Sequence, residues 1–473
     1  MLAGLLVLLA VASVRDRFND PDLWWHLKTG DVIWTTHTVP TTDLFSWTTG
    51  HHAWIPHEWL SQTLIYTAYR WGGYSGLMLW LCCFTACLLV GGYVLCSLYS
   101  GNSKTAFAGA LVIWLFATIG FSIRPQLIGY NLLVVELLLV HLGRTRSPRW
   151  FYWLPPLFAL WINCHGSFFL GLVLLGLFIF CSFFHFQAGL LTAPQWDHVR
   201  RRALMLAAFL SVAVTLLNPG GLKQVLYPVD TMLHQPINLA QVQEWKPLEW
   251  NDPRGVGLLV VLGCIFLLLI LRRSEIFFHE LLLLALGTWL AITHGRMLFV
   301  FGILAAPVLS RLIAGEWEDY DANRDLPWAN ATMLALSLLT AMLAFPSRAS
   351  LSRQVAAGNP TKAVEFIRTH HISGPMLNAY AYGGYLIWAL PEQPVFIDGR
   401  ADLYEWAGVL AKVSSWANLE SDPNELLDQY RVNFCFLERN SRMATVLPLL
   451  HGWRLAYSDD TSVIYVRMAV GAP

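Results

Sequence analysis

The sequence predicts a mainly α protein, a polytopic transmembrane helical bundle of about eleven spans followed by a small α/β domain. Three observations carry this expectation. Apolar types make up 56% of the 473 residues and charged types only 13%, where soluble domains are about one-quarter charged. Apolar runs of near-membrane length recur through the first 345 residues. The chain also holds 22 Trp, a side chain that collects where a bilayer meets water. The same apolar and aromatic richness excludes a disordered chain. Formal net charge is zero, from 31 basic and 31 acidic residues, so no basic footprint marks nucleic acid as a partner.

A helix needs about 20 apolar residues to cross the roughly 30 Å hydrocarbon layer. Runs of that kind lie near 1–14, 74–99, 105–123, 125–143, 150–163, 166–186, 203–217, 256–271, 277–294, 297–313 and 329–345. The first is short, and Ala10-Val11-Ala12 has the look of a signal-peptide cleavage site, yet no basic segment precedes it. A transmembrane helix is the favoured reading, and either reading exports the loop after it.

Short cytoplasmic loops hold an excess of Lys and Arg. Alternate connections carry Lys104; Arg144, Arg146 and Arg149; Arg200, Arg201 and Arg202; Arg272 and Arg273; then Arg311 and Arg324. Those connections are assigned to the cytoplasm. The others then face outward, and with them the tail. All the oddly composed polar turns fall on this outer face: 20–58, Arg124-Pro125, 163–165, Asn218-Pro219-Gly220, Glu244-Trp245 and 294–296. A transport pathway would instead place polar groups near the midplane. The expected organisation is a transmembrane domain over 1–346, with a first outer loop at 15–60, and an extracytoplasmic α/β domain over 347–473.

The tail differs in composition, with 10 basic and 12 acidic residues after position 350. Short alternating patterns predict strands at Pro375–Leu377, Pro394–Ile397, Phe434–Leu437 and Val463–Val466. Helices are expected at Pro360–His370 and Asn424–Tyr430. Seven of the eight cysteines lie in or beside apolar runs, where Cys acts as a small hydrophobe, and no metal spacing exists.

The first outer loop has six acidic residues against three basic. Asp20 and Asp22 sit next to the end of the first span. Two carboxylates so close can share a divalent cation such as Mg or Mn, or one can serve as base beside its neighbour. The competing explanation is capping of an interfacial helix. His57-Glu58 is no zinc-protease motif, because Ser61 stands where a second His would be needed. His26, His57 and Glu58 remain candidate substrate contacts. Seven Trp between Trp24 and Trp71 read as interfacial anchors or as a stacking platform for a sugar or lipid.

Arg124, His294 and Arg296 place positive or titratable groups at outer span ends, where a phosphate would sit. Asn163 and His165 flank a break between two runs, suiting an anion or plain capping. Glu136 lies inside an apolar run and is assigned to helix packing. Asp398-Gly399-Arg400-Ala401-Asp402 is read as a self-satisfied Asp–Arg turn in preference to a ligand loop.

The segments from Asp20 to Leu27 and from His57 to Leu60, the turn Asn163-Cys164-His165-Gly166, and the tail segments Asn378–Tyr385 and Val395–Tyr404 resemble those of a large set of polytopic bacterial membrane proteins. These look like members of the GT-C glycosyltransferase superfamily. The resemblance implies a sugar donor carried on a polyprenyl phosphate, an acidic residue of the first outer loop as base or metal ligand, and a soluble domain after the spans. Asp20 or Asp22 would be that residue. The implied partners are the lipid donor, membrane lipid, and a glycan, glycolipid or protein acceptor in the cell envelope. The alternative is a non-catalytic assembly protein that holds an envelope partner through its outer loop and tail.

Overall fold

A computed structural model of the chain describes residues 1–241, 245–315, 321 and 325–468. Arg324 and Glu244, assigned from the sequence to opposite faces, lie outside the described residues. The chain divides into two compact units. One comprises Met1–Arg17, Met78–Pro228 and Val242–Pro346; the other comprises Phe18–Leu77, Val229–Gln241 and Ser347–Pro473.

Every one of the eleven apolar runs contains a helix. In chain order these are α1 (Leu2–Val14), then, after the loop helix α2 (Leu23–Thr36), α3 (Trp59–Ser100), α4 (Ser103–Ala117), α5 (Pro125–Thr145), α6 (Leu154–Cys164), α7 (Phe168–Cys181) and α8 (His198–Val214). After α9 (Leu222–His234) and α10 (Pro236–Gln241) come α11 (Pro253–Arg272), α12 (Phe278–Thr293), α13 (Leu298–Ala314) and α14 (Pro327–Ala344). Among the described residues six helical segments, including α3 and α5, are long and apolar enough to cross a membrane; α1, α7 and α12 are apolar but shorter. The chain is an integral membrane protein. Length alone does not reach the expected eleven spans.

Local chemistry sets the helix starts. Asn102 caps α4 by accepting from the Lys104 and Thr105 amides at 2.9 and 3.3 Å, and Asp197 and Asp252 cap α8 and α11 in the same way. Pro125, Pro253 and Pro327 occupy first-turn positions where a missing N–H costs nothing. The long helix α3 is interrupted at Gly73, whose φ of 57° is open to glycine at little cost.

Within the first unit, α13 packs against α4, α11 and α12, and α1 lies on α14. The spans of α5 and α13 are largely buried, while α11 and α14 leave most of their apolar surface exposed, as lipid-facing helices do. Two of the basic connections, those of Arg144 and Arg311, lie together. Arg311 Nε donates to Glu280 Oε1 at 2.9 Å, and Arg144 bonds to the neighbouring His279, so the ends of α5 and α13 meet the start of α12. At the other end, Arg296 meets Gln126. Glu136, midway along α5, is fully buried, with its carboxyl beside Gly171 of α7. Its carboxyl has no hydrogen-bond partner among the described residues, in keeping with a packing position. Two short strands, β1 (Phe186–Ala188) and β2 (Leu191–Ala193), form a hairpin joined by β3 (Ile276–Phe277).

The tail of the second unit adds helices α15 (Arg348–Gly358) and α16 (Thr361–Thr369), then β4 (Met376–Asn378), α17 (Tyr380–Ala389), α18 (Ala401–Trp406), α19 (Leu410–Asn418), α20 (Pro423–Gln429), β5 (Phe434–Glu438), α21 (Arg442–Val446), β6 (Trp453–Ser458) and β7 (Ser462–Arg467). The sheet runs β4-β5-β7-β6, with only β4 and β5 parallel. One expected strand is absent. Residues 394–397 run instead between other partners: Phe396 N–H donates to Asn378 Oδ1 and Asn378 Nδ2 to the Ile397 carbonyl, each at 2.8 Å. On its other side, Val395 exchanges backbone bonds with Phe45 and Trp47 of the first loop. A side-chain amide and a loop satisfy backbone groups that a ladder would have used. Strand β6 is one that the pattern does not predict.

Candidate functional site

In the second unit the first loop is folded into the tail. Asp43 is fully buried and accepts from the Phe45 and Ser46 amides at 3.1 Å, from the Ser46 hydroxyl, and from Thr49 Oγ1 at 2.9 Å. Arg400 reaches it through Nη1 at 2.7 Å and grips Asp398 with Nε and Nη2 at 2.8 and 2.6 Å. Tyr404 donates to Asp398 Oδ2 at 2.6 Å. The guanidinium lies over Trp54 at 4.7 Å and Phe45 at 5.0 Å. Burial lowers the Arg400 pKa, but Asp398 and Asp43 outweigh it and hold it well above the usual value. Burial would raise the Asp43 pKa, and Arg400 with the loop hydrogen bonds brings it below the ordinary carboxylate range. The Asp–Arg turn read from the sequence therefore exists, with Asp43 as an additional partner.

The loop's indoles follow the same logic. Trp47 Nε1 donates to the Met376 carbonyl at 3.2 Å, and Trp24 packs edge-on to Tyr385 at 5.1 Å. They pack the loop to the tail instead of lining a stacking platform. Trp71, 81% exposed, is placed as an anchor would be.

Asp20 and Asp22 occupy the turn before α2. The Asp22 amide donates to Asp20 Oδ1 at 3.0 Å, so Asp20 builds the turn locally. Asp22 is the residue preceding the helix, but its side chain makes no capping bond. Its Oδ1 instead accepts from Trp25 Nε1 at 3.1 Å. Among the described residues no three His, Cys, Asp or Glu gather as a metal site would require. Two carboxylates would hold a divalent cation only together with waters or a substrate phosphate.

One turn along α2, the His26 ring lies tilted against Trp25 with ring centres 3.7 Å apart. Its Nδ1 accepts from Gln62 Nε2 at 3.2 Å and lies 4.0 Å from Glu58 Oε2. His57 Nε2 is 3.7 Å from Glu58 Oε1. The structure thus brings His26, Glu58 and His57 together across the two ends of the loop. Gln62 belongs to this group and carries no motif.

In the first unit, Arg124 precedes Pro125 in extended conformation. Arg296 Nη2 donates to Gln126 Oε1 at 2.9 Å and its guanidinium covers Trp245 at 5.5 Å. His294, which ends α12, sets its ring edge-on to the same indole at 5.5 Å. Arg124, Gln126, His294 and Arg296 therefore share one end of this unit, with Gln126 again unforeseen. His165 bonds through Nδ1 to Ser167 in the α6–α7 break, at 2.8 Å.

No known protein family's profile matches the chain, and no curated protein sequence does. Solved structures do match. An oligosaccharyltransferase from Archaeoglobus fulgidus tethered to an acceptor peptide with an NVT sequon shares 12% identity at a TM-score of 0.58, over 98% of this chain and 74% of that one. The archaeal oligosaccharyltransferase AglB from the same organism, in complex with an inhibitory peptide and a dolichol-phosphate, shares 13% at 0.55, over 99% and 75%. ArnT from Cupriavidus metallidurans bound to undecaprenyl phosphate shares 13% at 0.53, over 98% and 97%. At such identities the likeness is one of fold: the chain shares the fold of these oligosaccharyltransferase and ArnT structures.

Proposed function

We propose that the chain transfers a sugar from a polyprenyl-phosphate-linked donor to an extracytoplasmic acceptor, with inversion at the anomeric carbon. The observation that carries this reading is an aspartate pair held in a defined turn of the first loop, in a fold shared with enzymes solved with dolichol-phosphate and undecaprenyl phosphate. One carboxylate of the Asp20–Asp22 pair takes the proton of the acceptor hydroxyl as its oxygen attacks the anomeric carbon. The bond from that carbon to the phosphate oxygen breaks, and the phosphate leaves on its lipid. A single displacement inverts the centre. Arg124 and Arg296 bind the phosphate and stabilise its growing charge. His26, His57, Glu58, His165 and His294 supply polar contacts to the substrates.

Single exchanges Asp20→Asn and Asp22→Asn test the reading through glycan and glycolipid products. Loss of the general base costs about 10²–10⁴-fold in rate. Unchanged products with both variants, in a chain that still inserts, would overturn it and favour the assembly role.

A further inference from the structure

We infer that Gly399, in the tail, is a positioning residue for the Asp22 carboxylate, and that Asp22 rather than Asp20 is the base so positioned. The catalytic part of this inference rests on the transferase reading; its geometric part does not.

Asp22 is gripped from two sides. Trp25 Nε1 donates to Oδ1 from within α2. On the other side, a Cβ placed on Gly399 would overlap Asp22 Oδ1 outright and come 3.0 Å from Trp25 Nε1. Gly399 does not have a positive φ, so its backbone is open to any residue. The demand for glycine comes from the carboxylate and the indole that bonds it. Nor is the turn able to retreat. Asp398 and Arg400, on either side of Gly399, are locked in the buried ion network with Asp43 and Tyr404, and Tyr380 donates to the Gly399 carbonyl at 3.3 Å. The loop is equally confined, because a Cβ on Gly384 of α17 would overlap the Pro21 carbonyl and lie 3.5 Å from Trp25 Cδ1.

Any side chain at 399 therefore meets the Asp22 carboxylate first. Displacement of that carboxylate relieves the overlap, and in doing so breaks the bond from Trp25. Asp20 contributes differently, since its Oδ1 is committed to the Asp22 amide and so shapes the turn.

The test uses the full chain in lipid nanodiscs with ¹⁵N-labelled Trp indoles. Loss of one N–H signal in Trp25→Phe assigns it. Asp22→Ala, which removes the acceptor, is expected to move that signal. Gly399→Ala should move it in the same direction by a comparable amount. Gly72→Ala, where a Cβ meets nothing within 4 Å, should leave it in place. Should Gly399→Ala fail to fold, Tyr380→Phe releases the Gly399 carbonyl without adding an atom, and a partial shift is expected. A Trp25 signal at its wild-type position in Gly399→Ala, or in Tyr380→Phe where that variant stands in, overturns the inference. Glycolipid products give the catalytic arm: Gly399→Ala should match Asp22→Asn, while Gly72→Ala and wild type agree. Shifted signals with wild-type products in both Gly399→Ala and Asp22→Asn would keep the geometry and sink the transferase reading.

Discussion

Arg400 donates to Asp43 at 2.7 Å across 357 positions of the chain, with both side chains withdrawn from water. Removing one member of such a pair leaves an uncompensated buried charge and costs about 3–5 kcal/mol. Arg400→Met strands two carboxylates, Asp43 and Asp398, whereas Asp43→Asn leaves Arg400 its bidentate grip on Asp398. Thermal unfolding of the detergent-solubilised protein should therefore fall further for Arg400→Met than for Asp43→Asn. Equal or reversed losses would contradict the network as described.

Acid should loosen the β6–β7 hairpin. Burial would raise the Asp459 pKa, but bonds from Tyr457 and from the Ser462 and Thr461 amides bring it to about 2. A carboxylate depressed in the folded state contributes stability above its unfolded pKa of about 3.9, and that stability is lost as pH falls through the folded value. Hydrogen exchange of the β6 and β7 amides should accelerate between about pH 4 and about pH 2, beyond the intrinsic trend. Asp459→Asn should abolish that step.

Glu136 should cost stability where it stands. A buried polar group left without a partner costs about 1–3 kcal/mol, and Glu136→Leu replaces it with an apolar side chain of similar reach. The variant is expected to unfold at higher temperature than wild type. A lower temperature would reveal a role for the carboxyl beyond packing.

Phosphate recognition by the end of the first unit that carries Arg124 and Arg296 predicts a measurable loss. A hydrogen bond to a charged group is worth about 1.5–3 kcal/mol, or roughly 10–150-fold in affinity. Arg296→Ala should weaken binding of undecaprenyl phosphate by that order, and Arg149→Ala should not. Equal binding by Arg296→Ala would remove this residue from the lipid-phosphate site.

Topology gives a fifth check. A reporter fused after Pro346 should be active only on the extracytoplasmic side, and cytoplasmic activity would reverse the proposed orientation.

The features legible in the sequence were those that periodicity and charge encode. Each apolar run became a helix, because a buried or lipid-facing helix announces itself by composition alone. The basic residues Arg144 and Arg311 do meet at one end of the first unit through His279 and Glu280. Contacts at long separation were not legible. Asp43 and Arg400 are ordinary loop residues when read one at a time, and Gln62 and Gln126 have side chains that no motif flags. The Pro394–Ile397 segment looks like a strand because its residues alternate suitably, yet its backbone is satisfied by Asn378 and by the first loop. Trp47 and Trp54 suggest a membrane surface when each serves as packing inside the unit.

The interleaving of chain segments in the second unit also bears on how the protein is made. Asp43 leaves the ribosome 357 residues before Arg400, a wait of roughly 20–70 s at ~5–20 residues per second. During that interval the first loop has none of the tail partners that order it. A chain truncated in the last quarter of its length would carry every apolar run and the whole first loop, but not the residues that give the loop its shape. Competence for the proposed chemistry is therefore acquired only after Arg400 has been made.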